Sequence, residues 1–320
     1  MTVDNDRALG AVLGAFVGDA AGATLEFLGR QPTSDEVEHA LMMPGGGCWG
    51  VAPGQITDDS ELALCLARAL AEGSPNPLDT TARWYRRWYE SPPFDIGGTT
   101  SNALSVRPQP DMADAMRARA RELNMGSKAN GSLMRCTPLA LWGHRMTDPE
   151  LAEIATGDSS LTHPNPSCGD AVAAYVIAIA ALIRGESRDE AYSRAARWAR
   201  ADANADVNTW LNLAEADEAV PYHPHVGFVK IAFVHAMRHL LRGSDYVQAL
   251  HETLLGGGDT DTNAAIVGGL VGAAVGASRI PQSMRAAVLE ADTHAGRPRP
   301  DFLHPGDVDA LADRLLAVAP

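Results

Sequence analysis

Cysteine is scarce in this chain of 320 residues: Cys48, Cys65, Cys136 and Cys168 are scattered, with no Cys-x-x-Cys pair. That excludes a disulfide-stapled framework, argues against a zinc site and favours a reducing cytoplasmic setting. Aromatic residues are few, at 6%, which is little for a β-sandwich core. Basic charge is in deficit, with a net charge of −14 and a pI near 5.1. The densest basic stretch, Arg117-Ala118-Arg119-Ala120-Arg121, reads as one solvated helix face. Nucleic acid is therefore not expected as a partner, because an acidic surface repels a phosphate backbone. Long apolar runs are missing too. The longest uncharged one, 263–278, is shorter than the roughly 20 residues a membrane-spanning helix needs. No membrane segment is expected, and the acidic N-terminus lacks the form of a signal peptide.

The composition that remains is globular, 46% apolar and 21% charged, and rich in Ala and Gly. Apolar residues recur at the helical period rather than in strict alternation. The pattern predicts helices near 5–22, 58–72, 77–90, 97–105, 111–124, 132–142, 148–160, 167–185, 187–203, 206–217, 226–242, 244–254, 261–277, 281–292 and 306–318, and no strand. The expectation is an all-α fold, a compact multi-helix domain spanning 1–320. Residues 41–54 hold too much Gly and Pro for a regular element; segment 44–54 is a candidate lid. Glycines recur inside two helices, Gly10, Gly14 and Gly18 in the first and Gly268, Gly269, Gly272 and Gly276 in the late one. Each costs an exposed helix interior about 0.5–1 kcal/mol relative to Ala. Two compensations are open: a thin wall beside a ligand, or close helix–helix packing.

Two acidic clusters open apolar helices after Gly-rich loops: Thr57-Asp58-Asp59-Ser60-Glu61 and Gly258-Asp259-Thr260-Asp261-Thr262-Asn263. Capping accounts for part of this. Thr57 or Asp58 can cap a helix, Asp58 and Glu61 have capping-box-like spacing, and acids in a first turn suit the helix dipole. The density of carboxylates exceeds what capping needs, and neighbouring carboxylates repel unless a cation lies between them. Carboxylate and hydroxyl oxygens suit Mg²⁺, Mn²⁺ or Ca²⁺. Between the clusters, residues 126–132 (Gly-Ser-Lys-Ala-Asn-Gly-Ser) form a small polar turn. Its backbone N–H groups are a natural anion seat.

Taken in order, these segments resemble the ADP-ribosylglycohydrolase family. The resemblance runs from Gly10–Phe27 through Thr57–Ser60, Asp95–Thr100, Asn130–Arg135, Thr162-His163 and Gly227–Val229 to Gly257–Thr262. It implies an all-α fold with a two-metal cleft. Thr57, Asp58, Asp59, Asp259, Asp261 and Thr262 would hold two divalent cations, Mg²⁺ or Mn²⁺. It implies that Asn130, Gly131 and Ser132 surround the phosphates or distal ribose, with His163 near the ADP-ribose; Gly126 and Ser127, in the same polar turn, are substrate-binding candidates from the anion-seat reading. Phe228 would stack on adenine; a core position on helix 226–242 is the alternative. The implied substrate is ADP-ribose carried on a modified protein.

Glu26 and Asp95 are the candidate proton-transfer residues, although either acid alone could be a surface or capping group. The Asp-Ile-Gly-x-x-Thr form of 95–100 is similar to the branch that activates dinitrogenase reductase and releases ADP-ribose from arginine. That likeness implies an arginine linkage. Related branches act on ADP-ribosyl-serine or O-acetyl-ADP-ribose. An inactive ADP-ribose reader and a two-metal nucleotide phosphohydrolase are the competing classes. The absence of His from both acidic clusters speaks against the last.

Overall fold

The computed structural model describes residues 3–320. In chain order the helices are α1 (Asn5–Gly22), α2 (Ser34–Ala40), α3 (Asp58–Ala71), α4 (Pro77–Tyr89), α5 (Gly98–Leu104), α6 (Met112–Asn124), α7 (Thr137–Trp142) and α8 (Asp148–Ser160). They continue as α9 (Pro166–Ile183), α10 (Arg188–Asp202), α11 (Ala205–Glu215), α12 (Val229–Arg242), α13 (Tyr246–Leu255), α14 (Thr260–Val275), α15 (Gln282–Leu289) and α16 (Val308–Ala317). The described residues contain only isolated β-bridges, so the all-α expectation holds.

Helix α2 escaped the periodicity reading because it is barely two turns long. Its signal was a local one: Thr33 and Glu36 form a reciprocal capping box, with Val37 and Ala40 buried. The helix expected over 132–142 begins only at Thr137, with Pro138 in its first turn; residues 130–135 are turns. Phe228 is the N-cap of α12 rather than an interior residue. Its backbone pairs with Ala129 in an isolated bridge, with Asn130 N–H donating to Gly227 O at 3.0 Å and Val229 N–H to Lys128 O at 2.9 Å. This short tie fixes the 126–132 turn against the start of α12.

Helices α1 and α14 form the central seam. A Cβ at Gly14 would lie 2.3 Å from Gly268 O, and one at Gly18 would lie 2.1 Å from Ala264 O. No side chain fits at that separation, so the glycines serve close backbone packing, and the thin-wall alternative falls away for them. The seam runs on to Gly22, where a Cβ would meet the Asp261 backbone at 2.4 Å. The packing that buries α1 therefore also sets the height of the second acidic cluster.

Helix α9 is long and apolar enough, by composition, to cross a membrane, yet 89% of it is buried. It packs against α8, α10, α7 and α14 and is the core helix of one half of the fold. The buried apolar side chains of all these helices join into one continuous cluster.

Candidate active site

The starts of α3 and α14 meet over the C-terminal end of α1. Asp19, wholly buried on α1, accepts hydrogen bonds from Thr57 N–H (3.0 Å), the Thr57 hydroxyl (2.8 Å) and Ser60 N–H (3.1 Å). It thereby satisfies the N-cap N–H and one first-turn N–H of α3, where the Thr57 side chain makes no cap bond. The capping-box spacing of Asp58 and Glu61 is not used. Glu61 turns away from the cluster to a buried ion pair with Arg299 (2.7 and 2.9 Å) and accepts Trp88 Nε1–H at 2.6 Å. Freed from capping, Asp58 and Asp59 stay at the cleft side of the helix start.

Across the gap, Asn130 Nδ2–H donates to Asp259 Oδ2 at 2.7 Å. Thr260 Oγ1–H donates to Gly22 O at 2.8 Å, and Thr262 N–H to Asp261 Oδ1 at 2.9 Å. The Thr262 hydroxyl lies 3.5 Å from Asp59 Oδ2, linking the two clusters. Glu26, on the turn after α1, and Asp95, on the loop before α5, join Asp261. One ligand oxygen from each of these three lies within 4.8 Å of the others.

A cavity of about 350 Å³ opens over this group. Glu26, Asp58, Asp95, Asp259, Asp261 and Thr262 line its acidic side. Asn130, Gly131 and His163 line the other, with Thr99, Thr100, Met134, Val226 and Gly227 completing the wall. Gly131 has to be glycine: a Cβ would sit 2.8 Å from His163 Cε1. His163 is buried, its Nδ1 lies 2.8 Å from Thr162 Oγ1, and burial lowers its pKa to about 3, so the ring is neutral.

Several expected residues stand elsewhere. Thr57 and Asp59 are buried and do not line the cavity, although the Thr262 hydroxyl 3.5 Å from Asp59 Oδ2 keeps Asp59 between the two acidic clusters. Ser132 is wholly buried, its hydroxyl bonded to Ser159 at 2.9 Å, and Ser127 pairs with Thr99 at 3.0 Å; neither lines the cavity, nor does Gly126. As an anion seat the turn is partly spent, because Asn130 N–H is committed to Gly227 O. The Phe228 ring packs edge-on against Trp210, at 5.7 Å between centroids, and lies outside the cavity lining. Its backbone, through the bridge to Ala129, ties the turn to the start of α12.

Asp19 and Trp49 were not marked as site residues from sequence. Asp19 was visible in the Gly18-Asp19 step, where an acid in an apolar helix signals a buried partner. Trp49 carried no signal beyond a lone aromatic in a glycine loop. That loop is a braced hairpin in which Gly46 and Val51 pair at 2.8 and 3.0 Å. Gln55 and Arg297 clamp it from below, and Trp49 O accepts from the Arg297 guanidinium. The indole Nε1–H donates to Glu26 Oε2 at 2.6 Å.

Burial and mutual repulsion leave the carboxylates hard to ionise together. Burial, then the neighbouring Asp95, pushes Glu26 up to about 8; burial, then Asp259, pushes Asp95 up to about 7. Burial and adjacent acids hold Asp58, Asp59 and Asp261 well above the usual range. Asp59 Oδ1 is buried without a hydrogen-bond partner. Such a set fits a hard cation: all donors are oxygens, the charge is uncompensated, and one carboxylate oxygen is unspent.

Fold and site together define a helical protein with an oxygen-lined acidic cleft, its donors of the kind that suits a hard metal ion, beside a cavity. The chain belongs to the ADP-ribosylglycohydrolase family, a family of hydrolases whose sequence model matches residues 1–320. It is 30% identical over 283 residues to the ADP-ribosyl-[dinitrogen reductase] glycohydrolase of Rhodospirillum rubrum, covering 87% of this chain and 88% of that one. It is 29% identical over 283 residues to the ADP-ribosylarginine hydrolase Tri1 of Pseudomonas putida (strain GB-1), covering 86% of this chain and 72% of the relative. A solved structure described as an ADP-ribosylglycohydrolase-related protein complex superposes with a TM-score of 0.78 at 28% identity, covering 99% of both chains.

Proposed function

We propose that this protein is a cation-dependent hydrolase that releases ADP-ribose from a modified protein, with arginine as the linked side chain. The observation that carries the reading is the convergence of Glu26, Asp95 and Asp261 on the floor of the cavity, between the two acidic helix starts. The names of the P. putida and R. rubrum relatives support the reaction class, and the former supports the arginine linkage. Asp58, Asp59, Asp259, Asp261, Thr57 and Thr262 would hold two divalent cations, Mg²⁺ or Mn²⁺. When bound, the ions supply Lewis-acid charge at the sugar oxygens and the attacking water. The reading takes 1–320 as one catalytic domain and the cytoplasm as its setting, in keeping with four unpaired thiols.

In the reaction, water adds at the anomeric carbon, the bond to the side-chain nitrogen breaks, and that nitrogen gains a proton. The chain's own groups have to take a proton from the water and give one to the leaving group. Glu26 and Asp95 lie near the neutral range, where a carboxyl can do either. Glu26, oriented by Trp49, is assigned to the water, and Asp95 to the leaving guanidine. Asn130, Gly131 and His163 are assigned to the nucleotide side. The neutral ring of His163 offers polarity there without adding charge.

The test is released ADP-ribose, read by mass spectrometry, from arginine- and serine-ADP-ribosylated proteins with Mg²⁺, with Mn²⁺ and with EDTA. Metal-dependent release from arginine is the expected result. Release from serine alone would discard the role of Asp95 at the guanidine. No release with retained ADP-ribose binding would leave a reader, and AMP as product would make it a phosphohydrolase.

A further inference from the structure

Phe27 is the one aromatic residue among the described residues whose ring is left exposed, at 64%. It follows Glu26 directly and sits at φ +56°, a left-handed conformation that non-glycine residues rarely adopt. The turn thus holds an apolar ring out at the cavity mouth while its neighbour's carboxylate points in. Phe27 does not stand alone. Its ring lies 6.3 Å from that of Trp49, nearly edge-on at 72°, and Trp49 lies 6.1 Å from Phe94. Phe27 and Trp49 line the cavity, and Phe94 adjoins Asp95 in sequence. Phe27 and Trp49 therefore rim the opening next to two acids, with Phe94 packed against Trp49.

An exposed ring set edge-on to its neighbour leaves a π-face free, and carboxylates behind it supply negative potential. That pairing takes a planar cation better than a neutral hydroxyl group or a phosphate. Resting on the reading given under Proposed function, we propose that Phe27, Trp49 and Phe94 form the receptacle for the leaving side chain and select a guanidinium. The rim thus sets the linkage the site accepts. Trp49 has a second part as a positioning residue, because its N–H fixes Glu26 and its own backbone is held by Arg297.

Wild-type protein is assayed first on arginine- and serine-ADP-ribosylated peptides. Silence on arginine at that stage would sink the parent reading independently of any variant. Phe27→Leu is then compared with wild type in two ways: KM on the arginine conjugate, and calorimetric Kd for the conjugate peptide and for free ADP-ribose. Loss of one cation–π face is expected to raise KM and conjugate Kd by about 3- to 10-fold. The Kd for free ADP-ribose should stay within about twofold. An equal loss for free ADP-ribose would show that the rings hold the nucleotide and would overturn the proposal, as would no change in either. The calorimetric comparison stands even if turnover is absent. Trp49→Phe keeps the ring and removes the N–H. It should lower kcat while KM for the conjugate holds. An unchanged kcat, or a loss confined to KM, would overturn the positioning role.

Discussion

The two acidic helix starts face one cleft and are both anchored on α1, yet by different physics. At the start of α3 the anchor is polar: Asp19 gathers the Thr57 and Ser60 N–H groups and the Thr57 hydroxyl. At the start of α14 the anchor is steric: Gly22 lets the Asp261 backbone approach to where a Cβ would stand 2.4 Å away. Asp19 and Gly22 are three residues apart, on one helical face. One helix thus sets both clusters at a common height, using a buried carboxyl for one and the absence of a side chain for the other. The difference teaches that a cation site can be positioned by hydrogen bonding or by packing, and that the two should fail differently.

The largest expected effect breaks both sides alike. Asp59→Ala and Asp261→Ala should each lower turnover by roughly 10³-fold, since a metal contributes several kcal/mol to the transition state; ADP-ribose release with saturating Mg²⁺ checks it. Arg299→Ala strikes the α3 side alone. It strands the buried Glu61 carboxylate and should cost about 3–5 kcal/mol of stability, read by urea unfolding. Asp19→Asn keeps the shape of the polar anchor but turns one of its two acceptor oxygens into an N–H donor facing the Thr57 and Ser60 donors. Metal affinity by calorimetry should fall about 10- to 100-fold, the size seen when groups behind the ligands are changed. Gly18→Ala sharpens the contrast from the steric side. It should cost about 1–3 kcal/mol or more in stability through overpacking against Ala264, with its main readout in unfolding rather than in metal affinity.

The remaining expected effect is the pH trend of the metal-free protein. Glu26 and Asp95 have folded values of about 8 and about 7, raised above their unfolded ones. The folded state therefore binds more protons than the unfolded one between about pH 4 and 8, and stability should fall as pH rises through that window. Thermal unfolding in EDTA should show the decline. Added Mg²⁺ should raise Tm more at pH 8 than at pH 5, because protons compete for the same oxygens.

Much of this was legible in residues whose signals are local. Helical periodicity located nearly all the helices, and only α2 was missed, because seven residues are too few to show a period. The glycine spacing of α1 announced a close contact, but the partner that decided between packing and a ligand wall lay more than 200 residues away. The acidic clusters were plain, while the fate of each member was not. Asp58 and Glu61 look alike in sequence, and only the distant Arg299 drew Glu61 out of the cluster. For Phe228 the sequence left stacking and core packing open, and the Trp210 ring that lies against it comes from another helix.

By itself, then, the sequence determined an all-helical chain, two helices spaced with glycine and two oxygen-rich helix starts, because capping, dipole complementarity and apolar period act over a few residues. Only the tertiary structure decided that Glu26, Asp95 and Asp261 meet, that Asp19 organises α3, and that Trp49 reaches Glu26. Those outcomes depend on how helices pack across hundreds of residues, where a contact is fixed by the shape of both surfaces and by no local rule.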